Sequence, residues 1–306
     1  MTDYNYLPLD EQELTFEEVQ NYLQFSQFVS ITFRAHTKIE HCRNYLDKKV
    51  AATDTPFYGI NTGFGFLQNV TIGDDQLEQL QNNLLMSHAC GMGDEVPLVI
   101  VKLMLMLKIK SLSYGYSGVQ IATVKRLMDM HNAEVLPVIY QQGSLGASGD
   151  LAPLSHLSLP LIGKGEVNYK GRRLTAQEIL QQLNWDVIRL KSKEGLALIN
   201  GTQFMSAYGL YCLVQAERLI KWADMIAAIS YDAFDCVSEP LHEKIHQIRP
   251  HAGQIHTAQT LQSILKGSGI AAQKKQQVQD PYSFRCIPQV HGATKDAVAH
   301  VRDVFM

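Results

Sequence analysis

The sequence predicts a mainly α protein, and three observations support this fold class. Capping boxes mark helix starts at Thr15 and Thr175, because each threonine is followed three residues later by glutamate. Residues 202–229 carry apolar side chains around much of the helical circumference, which is typical of a helix deep inside a bundle. Strand signals are few, and the best is a short hairpin, GEVNYKGRRL, that turns at Lys170-Gly171.

The remaining helices are predicted in chain order. After the capping box at Thr15, apolar residues recur at helical spacing. A second helix covers residues 76–90, and Gly91 and Gly93 close it. Two more helices follow, in VPLVIVKLMLMLKIKSL, which begins around Pro97, and in VQIATVKRLMDMHN. The last segment, IPQVHGATKDAVAHVRDVFM, shows a helical stripe that stops without a cap, as expected for part of a longer chain.

Composition excludes several classes of partner. The 306-residue chain has a formal net charge of -3, so no nucleic-acid partner is predicted. The most apolar run is interrupted by Lys102, Lys108 and Lys110, which predicts a buried helix and no membrane partner. The N-terminus is polar and acidic, unlike a signal or transit peptide. Five scattered cysteines without a CxxC pair indicate reduced thiols and a cytoplasmic protein.

The stretch GSLGASGDLAPLS, residues 143–155, carries the strongest chemical signal. One interpretation is a glycine-rich turn in which Ser148 or Asp150 caps the next helix. Its spacing does not match the phosphate-binding patterns. A second interpretation is backbone cyclisation, in which the Gly149 nitrogen attacks the Ala147 carbonyl in a tight turn. Loss of water from Ser148 would then leave an electrophilic methylidene.

This stretch resembles the signature of the aromatic amino acid ammonia-lyases, which act on histidine, phenylalanine or tyrosine. The similarity is strongest to the histidine-specific members, and it covers most of the chain. The other motifs that match, in order, are YGINTGFG (58–65), NLLMSHACGMG (83–93), EGLALINGTQ (194–203), RPHAGQ (249–254) and QDPYSFRCIPQVHGA (279–293).

The resemblance implies an architecture and an assembly. It implies an L-aspartase/fumarase-like helical bundle with a small N-terminal helical and loop region. Residues 1–200 would form the region that bears the cofactor, and residues 201–306 the first part of an incomplete central bundle. Family members are longer homotetramers whose active sites combine several chains, so we expect this chain to lack a C-terminal part. That part would carry an acidic residue that contacts the imidazole.

The resemblance also implies a reaction, which is elimination of ammonia from L-histidine to give trans-urocanate. Its electrophile is methylidene-imidazolone, abbreviated MIO, built from Ala147-Ser148-Gly149 without a metal. By resemblance Tyr58 removes the β-proton and Arg285 holds the substrate carboxylate. His88 contacts the substrate side chain and Asn200 contacts MIO and substrate, while Gln279 and Tyr282 line the site.

Each of these residues also has a purely structural interpretation. Tyr58 is equally consistent with a loop anchor, and His88 with a hydrogen-bonded core histidine. Asn200 suits a helix C-cap and Arg285 a surface ion pair. Two functional alternatives also remain open. One is a tyrosine ammonia-lyase, because a histidine at position 88 also suits a phenol. The other is a non-catalytic chain that serves assembly only.

One further motif, HEKIH at 242–246, fits the HExxH pattern of zinc metalloproteases. Pro250 follows one turn later and no third ligand is evident, so we expect no metal. His242 and His246 are predicted to lie on a polar helix face.

Overall fold

The computed structural model describes residues 6–53, 55–65, 68–73, 76–145 and 147–306. Within them lie thirteen α-helices and seven short strands, which confirms the mainly α prediction. The chain divides into two compact units, one ending at Tyr208 and the other beginning at Gly209. The functional division suggested at residue 200 stays a prediction.

The first unit is built mostly of short and medium-length helices. In chain order they are α1 (Phe16–Phe25), α2 (Phe33–Ala51), α3 (Leu77–His88), α4 (Leu98–Ser113), α5 (Ile121–Asn132), α6 (Leu151–Ser158), α7 (Ala176–Leu183) and α8 (Glu194–Ile199), followed by the start of α9 (Gln203–Ala233). Both predicted capping boxes are confirmed, since Thr15 and Thr175 each exchange hydrogen bonds with the glutamate three residues on. Sequence analysis missed α2, which is rich in charged residues.

Helix α4 forms the centre of the first unit. Most of its apolar side chains are buried, as the sequence predicts, although Leu98 and Val99 at its N-terminus are exposed. Helices α2 and α5 pack against it. Lys108 and Lys110 are buried as well, so the two lysines do not mark a solvent-facing stripe. None of the helices in the described parts of the chain is long and apolar enough to cross a membrane.

Seven strands form three small sheets in the first unit. The predicted hairpin is confirmed, and Lys170 and Gly171, both with positive φ, supply the two-residue turn that matches strand twist. The strands are β1 (Tyr6–Leu9) parallel to β2 (Phe28–Ile31), β3 (Met92–Glu95) antiparallel to β5 (Tyr140–Gln142), and β4 (Leu136–Pro137) beside the hairpin of β6 (Glu166–Tyr169) and β7 (Arg172–Thr175).

The second unit contains the rest of α9 and four further helices. These are α10 (Glu243–Gln247), α11 (Ala252–Leu265), α12 (Tyr282–Arg285) and α13 (Ile287–Phe305), the last confirming the predicted C-terminal helix. Helices α11 and α13 cross at Gly253 and Gly292, where a Cβ on Gly253 would lie 2.2 Å from the Gly292 carbonyl oxygen. Glycine at both positions therefore permits close contact of the two backbones.

The predicted long helix is confirmed as α9, and part of its apolar surface is not covered by the described residues of this chain. Leu219, Trp222, Ile226 and Ile229 are each more than half exposed. Apolar periodicity shows which side chains favour burial, but it does not show whether a partner covers them.

The predicted polar face at HEKIH is also wrong. His246 is buried, and its ring nitrogens contact the Pro240 carbonyl oxygen at 3.1 Å and the Gln254 amide at 3.0 Å. His242 precedes α10 as its N-cap and accepts a hydrogen bond from the Lys244 backbone N–H. Across the described residues, no three His, Cys, Asp or Glu side chains cluster so as to hold a metal ion.

A buried histidine of α5 contacts α1, and the asparagine beside it bonds β2. His131 Nδ1 lies 2.9 Å from the Asn132 side-chain oxygen, which only accepts, so Nδ1 carries the proton. The Tyr22 hydroxyl lies 2.6 Å from the other ring nitrogen, Nε2. Asn132 in turn exchanges two hydrogen bonds with the backbone of Val29. Burial lowers the pKa of His131 to about 4, so the neutral ring is the form that fits this network.

This histidine predicts an acid-sensitive fold. Unfolded His131 takes up a proton near pH 6.5 but the folded ring does not, so the free energy of unfolding falls as the pH drops from 6.5 toward 4. Between pH 7 and pH 5 the expected loss from this residue is about 2 kcal/mol. Urea unfolding of the wild type and of His131→Gln at both pH values measures it. The same pH dependence in both proteins would contradict the prediction.

Candidate active site

Three helix ends meet around one cavity in the first unit. Helices α3, α6 and α8 pack against one another, and His88 ends α3, Ser148 precedes α6 and Asn200 follows α8. These three residues and Tyr58 line a cavity of about 540 Å³. Four of the residues singled out in the sequence are therefore brought together, although they are distributed over more than 140 positions of the chain.

The Ala147-Ser148-Gly149 turn lies beside this cavity and makes a close contact with the backbone of Gly201. Gly149 has a φ of 107°, and a Cβ there would lie 2.7 Å from the Gly201 carbonyl oxygen and 2.8 Å from its nitrogen. Real Cβ atoms do not approach backbone so closely, so both φ and packing require glycine. Ser148 also lines a smaller adjoining cavity of about 150 Å³, together with Ala147 and Gly149.

Asp150 fastens this turn to the start of α9. Its carboxylate accepts hydrogen bonds from the Met205 backbone N–H at 3.0 Å and from the Ser144 hydroxyl at 2.8 Å. Its own backbone N–H donates to the Gly201 carbonyl oxygen at 2.8 Å. Asp150 occupies the N-cap position of α6 without a side-chain cap bond. The Asp150 carboxylate, expected to cap α6, therefore binds the N-terminus of α9 instead, where a negative charge is favourable.

Tyr58 lies on a loop that is fitted against α8. Gly59 has a φ of 67° and sits so close to Leu196 of α8 that a Cβ would lie 2.6 Å from its side chain. The Asn61 side chain bonds the Phe57 N–H and the Thr55 carbonyl, which fixes the loop from within. Tyr58 itself stays 55% exposed, so its phenol is accessible from the cavity.

The ring of His88 has a defined orientation. Its Nδ1 lies 2.9 Å from the Leu84 carbonyl oxygen, which only accepts, so Nδ1 donates this hydrogen bond. The neutral ring therefore presents Nε2 as an acceptor. Such an acceptor suits an N–H or O–H donor on a ligand.

Helix α8 is anchored by buried polar side chains at its N-terminus. Gln81 on α3 accepts from the Gly195 backbone N–H at 2.9 Å. Glu194 is fully buried, and its carboxylate accepts from the Gln120 N–H at 2.9 Å and from the Thr123 hydroxyl at 2.7 Å. These contacts fix α8, and with it Asn200, relative to α3 and α5.

The remaining predicted site residues lie in the second unit. Gln279, Tyr282 and Arg285 line a cavity of about 610 Å³. The Arg285 guanidinium stacks on the Tyr282 ring, 4.0 Å from its centroid, which is a cation–π arrangement. Among the described residues no carboxylate pairs with Arg285, and its buried Nε lacks a hydrogen-bond partner. The surface ion pair considered from the sequence is therefore not found among the described residues.

Sequence reasoning missed two features of the first-unit site. Gly201 contacts Gly149, and Lys193 lines the cavity with its ammonium bonded to the Ser117 carbonyl oxygen. Gly201 follows Asn200 directly, and an Asn-Gly pair signals a tight turn. No local pattern distinguishes Lys193 from a surface lysine.

The sequence matches the profile of one protein family, described as aromatic amino acid lyase, over residues 14–306. Histidine ammonia-lyase 2 of Fusobacterium nucleatum is 43% identical over 297 residues, which cover 97% of this chain and 58% of that protein. Histidine ammonia-lyase of Caldanaerobacter subterraneus is 42% identical, with the same two coverages. The chain thus spans 58% of the length of these curated relatives.

Solved structures share the fold. Histidine ammonia-lyase from Trypanosoma cruzi has a TM-score of 0.87 and 35% identity, covering 98% of this chain and 56% of that one. Ergothionase from Treponema denticola has a TM-score of 0.91 and 27% identity, covering 98% and 60%. The fold of this chain is therefore common to proteins with different named activities.

The contact between Gly149 and Gly201 predicts a large cost for a side chain at position 149. Gly149→Ala should lower the free energy of unfolding by about 2–5 kcal/mol, because alanine would have to adopt a left-handed conformation and its Cβ would clash with the Gly201 backbone. Gly171 has a φ of 75° and open space where a Cβ would lie. Gly171→Ala should therefore lower the free energy of unfolding by only about 1–2 kcal/mol. Urea unfolding in a Ser148→Ala background, which excludes dehydration of Ser148, compares the two. Equal losses would contradict the packing argument.

Proposed function

Because the chain belongs to the aromatic amino acid lyase family, we propose that it is the part of a histidine ammonia-lyase that builds the electrophilic site. The reaction is elimination of ammonia from L-histidine to give trans-urocanate. Two relatives named histidine ammonia-lyase are more than 40% identical to this chain over nearly all of its length, which supports histidine as the substrate.

The observation that carries the proposal is the strained Ala147-Ser148-Gly149 turn at the rim of the cavity. Gly149 has the positive φ and the close backbone contact that a tight cyclising turn needs, and the residues present therefore fit an MIO group. When formed, MIO supplies an electrophile that ordinary side chains lack.

Two further residues that line the cavity beside Ser148, Tyr58 and His88, support the proposal. Tyr58 takes the β-proton, since its exposed phenol borders the same cavity as Ser148. His88 orients the substrate side chain through Nε2, which accepts from the imidazole N–H. Asn200 borders the cavity beside Ser148 and helps to hold the substrate amino acid.

Arg285 binds the substrate carboxylate in this proposal. Its guanidinium has no carboxylate partner among the described residues, and stacking on the Tyr282 ring holds this planar group in place. A planar fork binds a carboxylate through two parallel hydrogen bonds. Gln279 and Tyr282 complete this part of the site.

We extend the proposal to a cytoplasmic homotetramer. The exposed apolar side chains of α9 support association, because soluble monomers seldom leave such side chains together in contact with water. The reaction as proposed requires no metal.

Tyrosine ammonia-lyase remains the second candidate, because one observation fits it equally well. The Nε2 acceptor of His88 suits a phenolic O–H as well as an imidazole N–H. Comparing ammonia release from L-histidine and L-tyrosine separates the two, and the proposal expects faster release from L-histidine.

Cofactor formation is tested by intact mass. Cyclisation and dehydration of the triad remove two waters, so the purified protein should be roughly 36 Da lighter than its sequence mass, provided that the strained turn forms. Ser148→Ala removes the hydroxyl that leaves as one of the two waters, so this variant should not show that part of the mass loss. A folded wild-type protein with the full sequence mass would refute cofactor formation in this chain.

The roles of Tyr58 and Arg285 predict different kinetic defects. Tyr58→Phe should lower kcat about 100-fold or more, with KM little changed, because it removes the base. Arg285→Lys should raise KM about tenfold, because the fork geometry is lost. Urocanate absorbance at varied L-histidine concentrations measures both. Small and equal effects on kcat and KM in both variants would tell against these assignments.

A further inference from the structure

Lys108 lies in the middle of the apolar helix α4, and its side chain is only 1% exposed. A cation or amine in such a place is costly unless its protons are hydrogen-bonded. Burial lowers the pKa of the Lys108 ammonium to about 7. The reaction as proposed above gives this residue no part.

The head group of Lys108 is bonded to the end of α8. Its Nζ donates to the Ala197 carbonyl oxygen at 2.8 Å and to the Asn200 carbonyl oxygen at 2.9 Å. Carbonyls at a helix C-terminus have no partner within the helix and carry partial negative charge. Lys108 is therefore a buried cap for the C-terminus of α8, and both the charged and the neutral amine have the protons for it.

The second of these bonds acts on the peptide group that faces the triad. The Asn200 carbonyl and the Gly201 N–H belong to one planar peptide unit, so fixing the carbonyl fixes the orientation of the N–H. The Gly201 nitrogen lies 2.8 Å from where a Gly149 Cβ would be, and the Gly201 carbonyl oxygen accepts from the Asp150 N–H. A chain of direct contacts thus leads from Lys108 to Gly149.

We propose that Lys108 is a positioning residue that holds the Asn200-Gly201 peptide against Gly149 and so shapes the triad for cyclisation. This inference rests on the proposed function for the chemistry that the turn undergoes. In that chemistry the Gly149 nitrogen bonds to the Ala147 carbonyl carbon. The carbonyl oxygen leaves as water with the amide protons of Gly149 and Ser148, and the Ser148 hydroxyl leaves with its Cα proton as the second water.

Lys110 provides a matched control on the same helix. It is also buried, and its Nζ donates to the backbone carbonyls of Asp10 and Gln12, which lie outside the candidate site. Lys110→Met therefore removes an equivalent buried head group without touching the α8 terminus.

The experiment combines hydrogen exchange with intact mass in folded wild type, Lys108→Met, Lys108→Gln and Lys110→Met. In both Lys108 variants, exchange at the Asp150 amide, read on peptides spanning 147–153, should be at least about tenfold faster. The amides of α5 should exchange as in the wild type. The loss of roughly 36 Da expected of the strained turn should be absent or at least about tenfold slower in these variants but normal in Lys110→Met.

The outcomes separate the two proposals. If the wild type keeps its full mass but the Lys108 variants lose protection at Asp150, the positioning role of Lys108 is supported and cofactor formation in this chain is refuted. If protection and mass in the Lys108 variants match those of the wild type, positioning is overturned. If both Lys108 variants fail to fold while Lys110→Met folds, Lys108 serves global stability and the proposal is likewise overturned.

Discussion

The close approach of the Gly201 backbone to Gly149 is the contact on which the candidate site depends. Neither a side chain at 149 nor an ordinary φ there is compatible with it. The contact holds the triad in a conformation that an unsupported chain would seldom adopt, and the surrounding fold has to provide that support. The buried polar contacts around the cavity can be understood as parts of this support.

The support reaches the turn from two directions. On one side Asp150 joins the turn to the first residues of α9, through a carboxylate placed at a helix N-terminus. On the other side Gln81 and Glu194 fix the start of α8, and Lys108 binds its end. Because these groups are buried and hydrogen-bonded, loss of any one leaves its partner unpaired in a dry environment. The turn is therefore held by buried hydrogen bonds on both sides, whereas the side chains of Tyr58 and Ser148 stay exposed.

Local patterns in the sequence were enough to predict much of the fold. The capping boxes, the apolar α4 and the Lys170-Gly171 hairpin all depend on residues close together in the chain. The parallel pairing of β1 with β2 was missed because it joins segments separated by a helix. The burial of His246 was misjudged for the same reason, since it depends on what the rest of the molecule places beside that side chain. In the candidate site, motifs pointed to the triad and to Tyr58, His88 and Asn200, but no spacing reveals the contacts that Asp150 and Lys108 make.

A crystal structure that resolves the backbone of residues 147–149 would show whether the triad has cyclised. We expect continuous density for a five-membered ring joining Ala147 to Gly149, with the Gly201 nitrogen and carbonyl oxygen packed against Gly149. An open, unmodified peptide at these residues in well-ordered protein, or a Gly201 backbone far from Gly149, would contradict this expectation.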